Sequence, residues 1–146
     1  MELLSKISFF LHILSAMLIA VSVFGFSMIE SAFGREMTLS LHKLSLKFSN
    51  IARNGGLLAL ITGIYNWFVI GNIQGWLIVK VILFIWFVIS GVFVGVKYIS
   101  KREKLLSEGQ TPVDEMVKVN KIIKVYSRLN LIIFILIVFL AVFRPF

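Results

Sequence analysis

His12 and Lys80 are the two residues of this sequence whose type and position could support chemistry inside a membrane. Each lies five residues inside the start of a predicted membrane helix, about 8 Å below the same boundary at a rise of 1.5 Å per residue. Ionisable side chains are costly within a bilayer, and those that persist there are usually functional. A neutral imidazole can bind haem iron or copper, or it can hydrogen-bond to another helix.

The segments that position these residues are apolar and largely uncharged. Hydrophobic residues make up 59% of the 146-residue chain, and a bilayer core of roughly 30 Å takes about 20 apolar residues per helix. We predict an all-α fold, an integral membrane four-helix bundle that forms a single domain over residues 1–146. Its spans are expected at residues 7–29, 54–72, 75–98 and 129–146.

The connections between these spans differ in structure. Thr111 and Pro112 are typical of a helix start, and we expect a helix from there to run into the fourth span. The apolar residues of segment 37–50 follow a mixed period, which indicates an interfacial segment.

Basic residues are distributed unevenly and predict the topology. The connections before the second and fourth spans carry twelve Lys and Arg, whereas the turn around residues 73–74 carries none. The positive-inside rule then places both basic connections in the cytoplasm, and both termini outside the cell membrane of this multi-pass protein. We expect the basic connections to set topology and to contact anionic lipids of the bilayer, and not to bind nucleic acid.

Given this topology, each helix brings a polar or aromatic group to the outer layer: His12, Lys80, Tyr65 with Asn66, and Arg144. His12 is expected to face the bundle, because it shares a helix face with small residues. It is interpreted as a haem-iron ligand, a copper ligand or a structural hydrogen-bonding residue. Lys80 could reach the interface or pair with a porphyrin carboxylate, and Arg144 could anchor at the interface or take the same carboxylate role.

The remaining ligand candidates are few. The sequence has no cysteine, which excludes thiolate metal sites and covalent c-type haem. Copper sites usually gather several ligands, but the methionines lie at different depths. His42 lies in the first basic connection, and we expect it to be solvated or interfacial. The sixth iron ligand would therefore be absent, or would be Lys80 or a group from another subunit of a homo-oligomer.

Several segments resemble a known family. Residues 10–16, Phe-Leu-His-Ile-Leu-Ser-Ala, resemble the first-helix histidine motif of the copper resistance protein D superfamily. Residues 47–53 and 60–66 look like its second segment, and residues 75–80, Gly-Trp-Leu-Ile-Val-Lys, are similar to its Trp-Leu-x-x-Lys helix opening. The ending Arg144-Pro145-Phe146 resembles the Lys-Pro-Phe ending of the HemJ-type membrane protoporphyrinogen IX oxidase, a branch with the same four-helix layout.

The resemblance to the oxidase branch implies haem b, with His12 and Lys80 at the essential positions. We therefore expect a small haem-b-binding membrane protein, acting in porphyrin (protoporphyrinogen) oxidation or in membrane electron transfer. The cofactor-binding residues would be His12, Lys80, Arg144, Tyr65 and Asn66, with His12 on the metal. Whether the protein is an enzyme stays open, and no catalytic residue is assigned. The alternatives are a copper transport or resistance protein and a non-enzymatic membrane helper subunit.

Overall fold

The computed structural model describes residues 2–34, 36–71, 74–109 and 113–145, and these form an all-helical structure. Helix α1 spans Glu2–Phe33, α2 spans Leu39–Ile70 and α3 spans Gly75–Val94. A π-helical turn, Gly95–Ile99, continues α3 into α4, Ser100–Glu108, and α5 spans Val113–Phe143.

Helix α2 is much longer than the predicted second span. It begins after Thr38, whose side-chain oxygen accepts a hydrogen bond from the Leu41 N–H at 3.3 Å, as an N-cap residue does. It ends at Gly71, which adopts a left-handed φ of 68°. Segment 37–50 is therefore helical from Leu39 onward, and its interfacial location stays a prediction. The spacing of apolar residues did not indicate this helix, because two of its buried positions, His42 and Ser45, are polar.

Three helical segments are long and apolar enough to cross a membrane: α1, the continuous segment Gly75–Glu108, and α5. They correspond to the first, third and fourth predicted spans. Helix α2, which contains the second predicted span, does not belong to this set. Its first half carries Lys43, Lys47 and Arg53, which lower its mean hydropathy.

The helices alternate in direction, so the described chain has two distinct ends. The end where α2 stops and α3 starts is called the turn end, and the opposite end, where α2 and α5 start, is called the basic end. Helix α1 packs against α2 and α5, and α3 packs against α5. A cluster around Ile19, Val23 and Phe134 fills the middle, and a cluster around Phe26, Ile99 and Ile123 fills the basic end.

The π-helical turn changes which side of the helix is buried. An α-helix that buries Val94 would next bury positions three or four residues later. The buried residues are instead Val94, Ile99 and Arg102, because the wider turn inserts one residue into the repeat. The Ser100 N–H accordingly donates to the Gly95 carbonyl five residues earlier. This shift turns Arg102 toward the interior.

Several predicted features lie outside the described residues. They are the helix start at Thr111 and Pro112, the turn residue Ile73, and the span ends at residues 72 and 146. The expectation that a helix runs unbroken into the fourth span is confirmed from Val113 onward.

Candidate functional site

His12 is held between α1 and α2 by a hydrogen bond to Thr62. Its Nδ1 lies 2.9 Å from Thr62 Oγ1, and that hydroxyl donates its proton to the Leu58 carbonyl at 2.7 Å. When the single hydroxyl proton is used by Leu58, the N–H of the pair belongs to His12 Nδ1. In the neutral ring this assignment leaves Nε2 unprotonated, with a lone pair available to a ligand.

The close approach of α1 and α2 depends on Gly63. A Cβ at this position would lie 3.3 Å from His12 Cε1 and 3.8 Å from Nδ1. Gly55, two turns earlier, faces α1 in the same way, with a Cβ position 3.2 Å from Ile19 Cγ1. Both glycines and the buried Ala59 lie on the α1-facing side of α2. The prediction that His12 faces packed helices is thereby confirmed.

Lys80 and Arg144 lie at the turn end with His12. The half-buried Lys80 ammonium is close enough to act electrostatically on the His12 ring, and Arg144 acts likewise on Lys80. The exposed Arg144 guanidinium lies over the Trp76 ring, 5.5 Å from its centroid. This cation–π contact is what an interfacial anchor would make.

Tyr65 and Asn66 lie one turn beyond Thr62 on α2. Tyr65 lines an open pocket of about 240 Å³ between α1 and α2, together with Thr62 and Ser8. The hydroxyl of Ser8 is buried and has no hydrogen-bond partner among the described residues. Asn66 is half-buried, and by helical spacing it shares the α1-facing side of Thr62. All five predicted site residues thus lie at the turn end, although they do not enclose one cavity.

A second polar cluster, at the basic end, was missed by the sequence analysis. Arg102 donates from Nη1 and Nη2 to the two carboxylate oxygens of Glu30, both at 2.7 Å. Arg102 Nε donates to His42 Nδ1 at 3.1 Å, and the Ser45 hydroxyl donates to Glu30 Oε1 at 3.4 Å. All four side chains are fully buried. This buried ionic cluster connects α1, α2 and α4.

The expectation that His42 is solvated or interfacial is therefore wrong. Because Arg102 Nε always carries a proton, His42 Nδ1 must accept, and the neutral ring is protonated at Nε2. Burial, and then the Arg102 charge, lower the pKa of His42 to about 4. Its Nε2 is buried, and no hydrogen-bond partner for it lies in the part of the chain that the structure describes. The sequence held one signal of the buried ionic cluster: the acidic residue Glu30 directly follows the first uncharged stretch.

A groove of about 630 Å³ lies between α2 and α3, with α1 and α5 as its floor. Its walls are mainly apolar, and Tyr126 and Asn130 contribute polar groups to the floor. Ser49 and Arg53 line it toward the basic end. Neither His12 nor Lys80 lines this groove.

The long apolar helices and the polar groups packed between them define an integral membrane protein. The chain belongs to the family described as predicted integral membrane protein (DUF2269), whose sequence model matches residues 7–145. This match supports a membrane protein family, whereas the resemblance to the copper resistance protein D superfamily and to the HemJ-type oxidase stays a prediction. No curated protein and no solved structure matches the chain significantly.

Proposed function

We propose that this chain is a haem-b-binding membrane protein in which His12 Nε2 is the axial ligand of the iron. The observation that supports this most is the hydrogen bond between His12 Nδ1 and Thr62, at 2.9 Å. A metal-binding histidine usually donates its other ring N–H to a fixed acceptor, which sets both the tautomer and the orientation of the ring. The Thr62 hydroxyl is such an acceptor, because its own proton is used by Leu58.

The surrounding residues fit an anionic macrocycle. Lys80 and Arg144 place two cations at the same end as His12, and either could pair with a propionate. Tyr65 and Ser8 line the adjoining pocket, which at about 240 Å³ is small and open. A macrocycle bound there would be bounded on one face by lipid or by a second copy of the chain. Bound haem b would supply one-electron transfer, in membrane electron transport or in porphyrin oxidation.

We also propose that the four helices form a transmembrane bundle, with the turn end and both termini outside the cell membrane. The basic connections and the absence of basic residues near residues 73–74 support this orientation. The cations of the basic end would then face the anionic cytoplasmic leaflet.

Copper is not favoured by any contact in the described residues. No group of three or more His, Cys, Asp or Glu that could hold a metal ion occurs in residues 2–34, 36–71, 74–109 and 113–145. The helper-subunit alternative has one supporting observation, since the His12–Thr62 bond would stabilise the α1–α2 pair without any cofactor.

A substitution at His12 separates the cofactor role from the structural role. The His12→Gln variant keeps an N–H that can donate to Thr62 but has no imidazole for the iron. We expect wild-type protein, purified in detergent after expression with a haem precursor, to show a Soret band. His12→Gln should lose that band while keeping the helical circular dichroism and the thermal stability of the wild type.

The control is Thr62→Val, which removes the acceptor of the Nδ1 proton but keeps the imidazole. It should retain haem with about 10-fold to 100-fold weaker affinity, the usual effect of losing such a support. A Soret band of full intensity in folded His12→Gln protein would refute the ligand assignment. If the wild-type protein is colourless and Thr62→Val has a lower thermal stability than the wild type, the helper-subunit alternative is favoured.

A further inference from the structure

The groove between α2 and α3 has the shape and the charge placement of a lipid site. Its apolar part extends along α3 and the π-helical turn from Phe84 to Ile99, roughly 22 Å at the helical rise. Rim residues such as Leu57 and Val92 are exposed, at 60% and 62%. The groove therefore opens sideways, toward the hydrocarbon that surrounds a membrane protein.

Two glycines on opposite walls of the groove are not explained by packing within the chain. A Cβ at Gly56 on α2 or at Gly95 in the π-helical turn would meet no atom of the described residues within 4 Å. By contrast, a Cβ at Gly91, on the same wall as Gly95, would lie 3.2 Å from the Tyr126 hydroxyl, which accounts for the glycine there. Glycine weakens a helix interior relative to alanine. A molecule lying in the groove would account for the missing side chain at Gly56, which has no role in a turn or cap.

The polar end of the groove identifies the chemistry of that molecule. Arg53 lines the groove where the uncharged stretch 54–79 begins, and the neutral donors Ser49 and Asn54 lie at the same end. Among the described lining residues there is no acidic side chain. An arginine beside hydroxyl and amide donors is suited to a phosphate group.

We infer that this groove binds one anionic phospholipid, with an acyl chain between α2 and α3 and the headgroup phosphate at Arg53. The inference does not depend on haem binding, because His12 and Lys80 lie outside the groove. It is more specific than attraction of the basic end to a charged leaflet, because it assigns the headgroup to one arginine and the acyl chain to one cavity.

The test is lipid binding to full-length protein, delipidated in detergent and measured by native mass spectrometry. We expect one dioleoyl phosphatidylglycerol to bind more tightly than dioleoyl phosphatidylcholine, which has the same acyl chains. In Arg53→Gln the preference for phosphatidylglycerol should fall about fivefold, as expected for one basic residue beside an anionic lipid. In Lys47→Gln, an exposed residue of the same helix outside the groove, the preference should stay unchanged.

A pair of substitutions at Gly56 tests the cavity itself. Gly56→Ala has space for its Cβ and should bind phosphatidylglycerol as the wild type does, whereas Gly56→Phe should fill the groove and abolish tight binding. Inorganic phosphate alone should not compete with the lipid. Equal binding of the two lipids, equal losses in Arg53→Gln and Lys47→Gln, or competition by phosphate would each overturn the proposal. The proposal would also be overturned if the wild type formed a dimer that binds no lipid and if Gly56→Phe dissociated that dimer. The occupant of the groove would then be a second copy of the chain.

Discussion

The buried ionic cluster allows a large stability effect to be predicted from a single substitution. Arg102→Met would remove the partner of both Glu30 carboxylate oxygens, each now bonded at 2.7 Å. The carboxylate would remain fully buried, and the remaining donor among the described residues would be the Ser45 hydroxyl, at 3.4 Å. Removing one member of a fully buried ion pair costs about 3–5 kcal/mol. No discount for solvent applies, because both side chains are 0% exposed.

The measurement is the free energy of unfolding in mixed micelles, followed by circular dichroism as a denaturing detergent is added. The matched control is Lys101→Met, which breaks the pair between Lys101 and Glu115, 2.5 Å apart but with side chains 47% and 40% exposed. That pair should contribute less than about 1 kcal/mol. We expect Arg102→Met to be destabilised several-fold more than Lys101→Met.

The double variant Glu30→Met/Arg102→Met separates an unpaired charge from a loss of volume. Replacing a buried ion pair by apolar residues of similar size is often neutral or stabilising, so the double variant should recover most of the lost stability. It keeps a cost of about 1 kcal/mol, because His42 Nδ1 loses its donor. An Arg102→Met protein within about 1 kcal/mol of wild type, or a double variant as unstable as the single one, would refute the reasoning.

The part of the site that sequence could predict is the part built from ordinary helical spacing. Gly55, Ala59 and Gly63 recur every four residues, and that period places them on one face of a helix whatever the rest of the fold does. His12 shares its face with Ala16 and Ala20 for the same reason. Small residues allow close helix contact. The sequence therefore favours packing of the His12 face against the glycine face. Thr62 went unnoticed, although its position beside Gly63 placed it within reach of the ring.

The ionic cluster could not be derived in this way, because it depends on an irregular turn. Arg102 lies in a strongly basic segment, which the positive-inside rule treats as solvated. With regular α-helical phase after Val94, Ile99, five residues later, would not share the buried side. The π-helical turn Gly95–Ile99 supplies the extra residue, and no feature of local composition requires such a turn. The partners of Arg102, Glu30 and His42, are both distant in sequence.

Two further predictions concern topology and pH. Cysteines at Gln74 and Ser107 should react with membrane-impermeant reagents from opposite sides of intact vesicles, and labelling from one side would contradict the proposed orientation. The pH prediction concerns His42, whose pKa is about 4 when folded against 6.5 for the free side chain. Between these values the unfolded chain binds a proton that the folded chain does not, so stability is complete above pH 6.5. It should fall as pH is lowered to 4, by up to about 3 kcal/mol. His42→Gln, whose amide oxygen can still accept from Arg102, should flatten this slope in the same unfolding assay. His42 and the Glu30 carboxylate share the Arg102 guanidinium, and an unchanged slope in His42→Gln would refute the role given to His42.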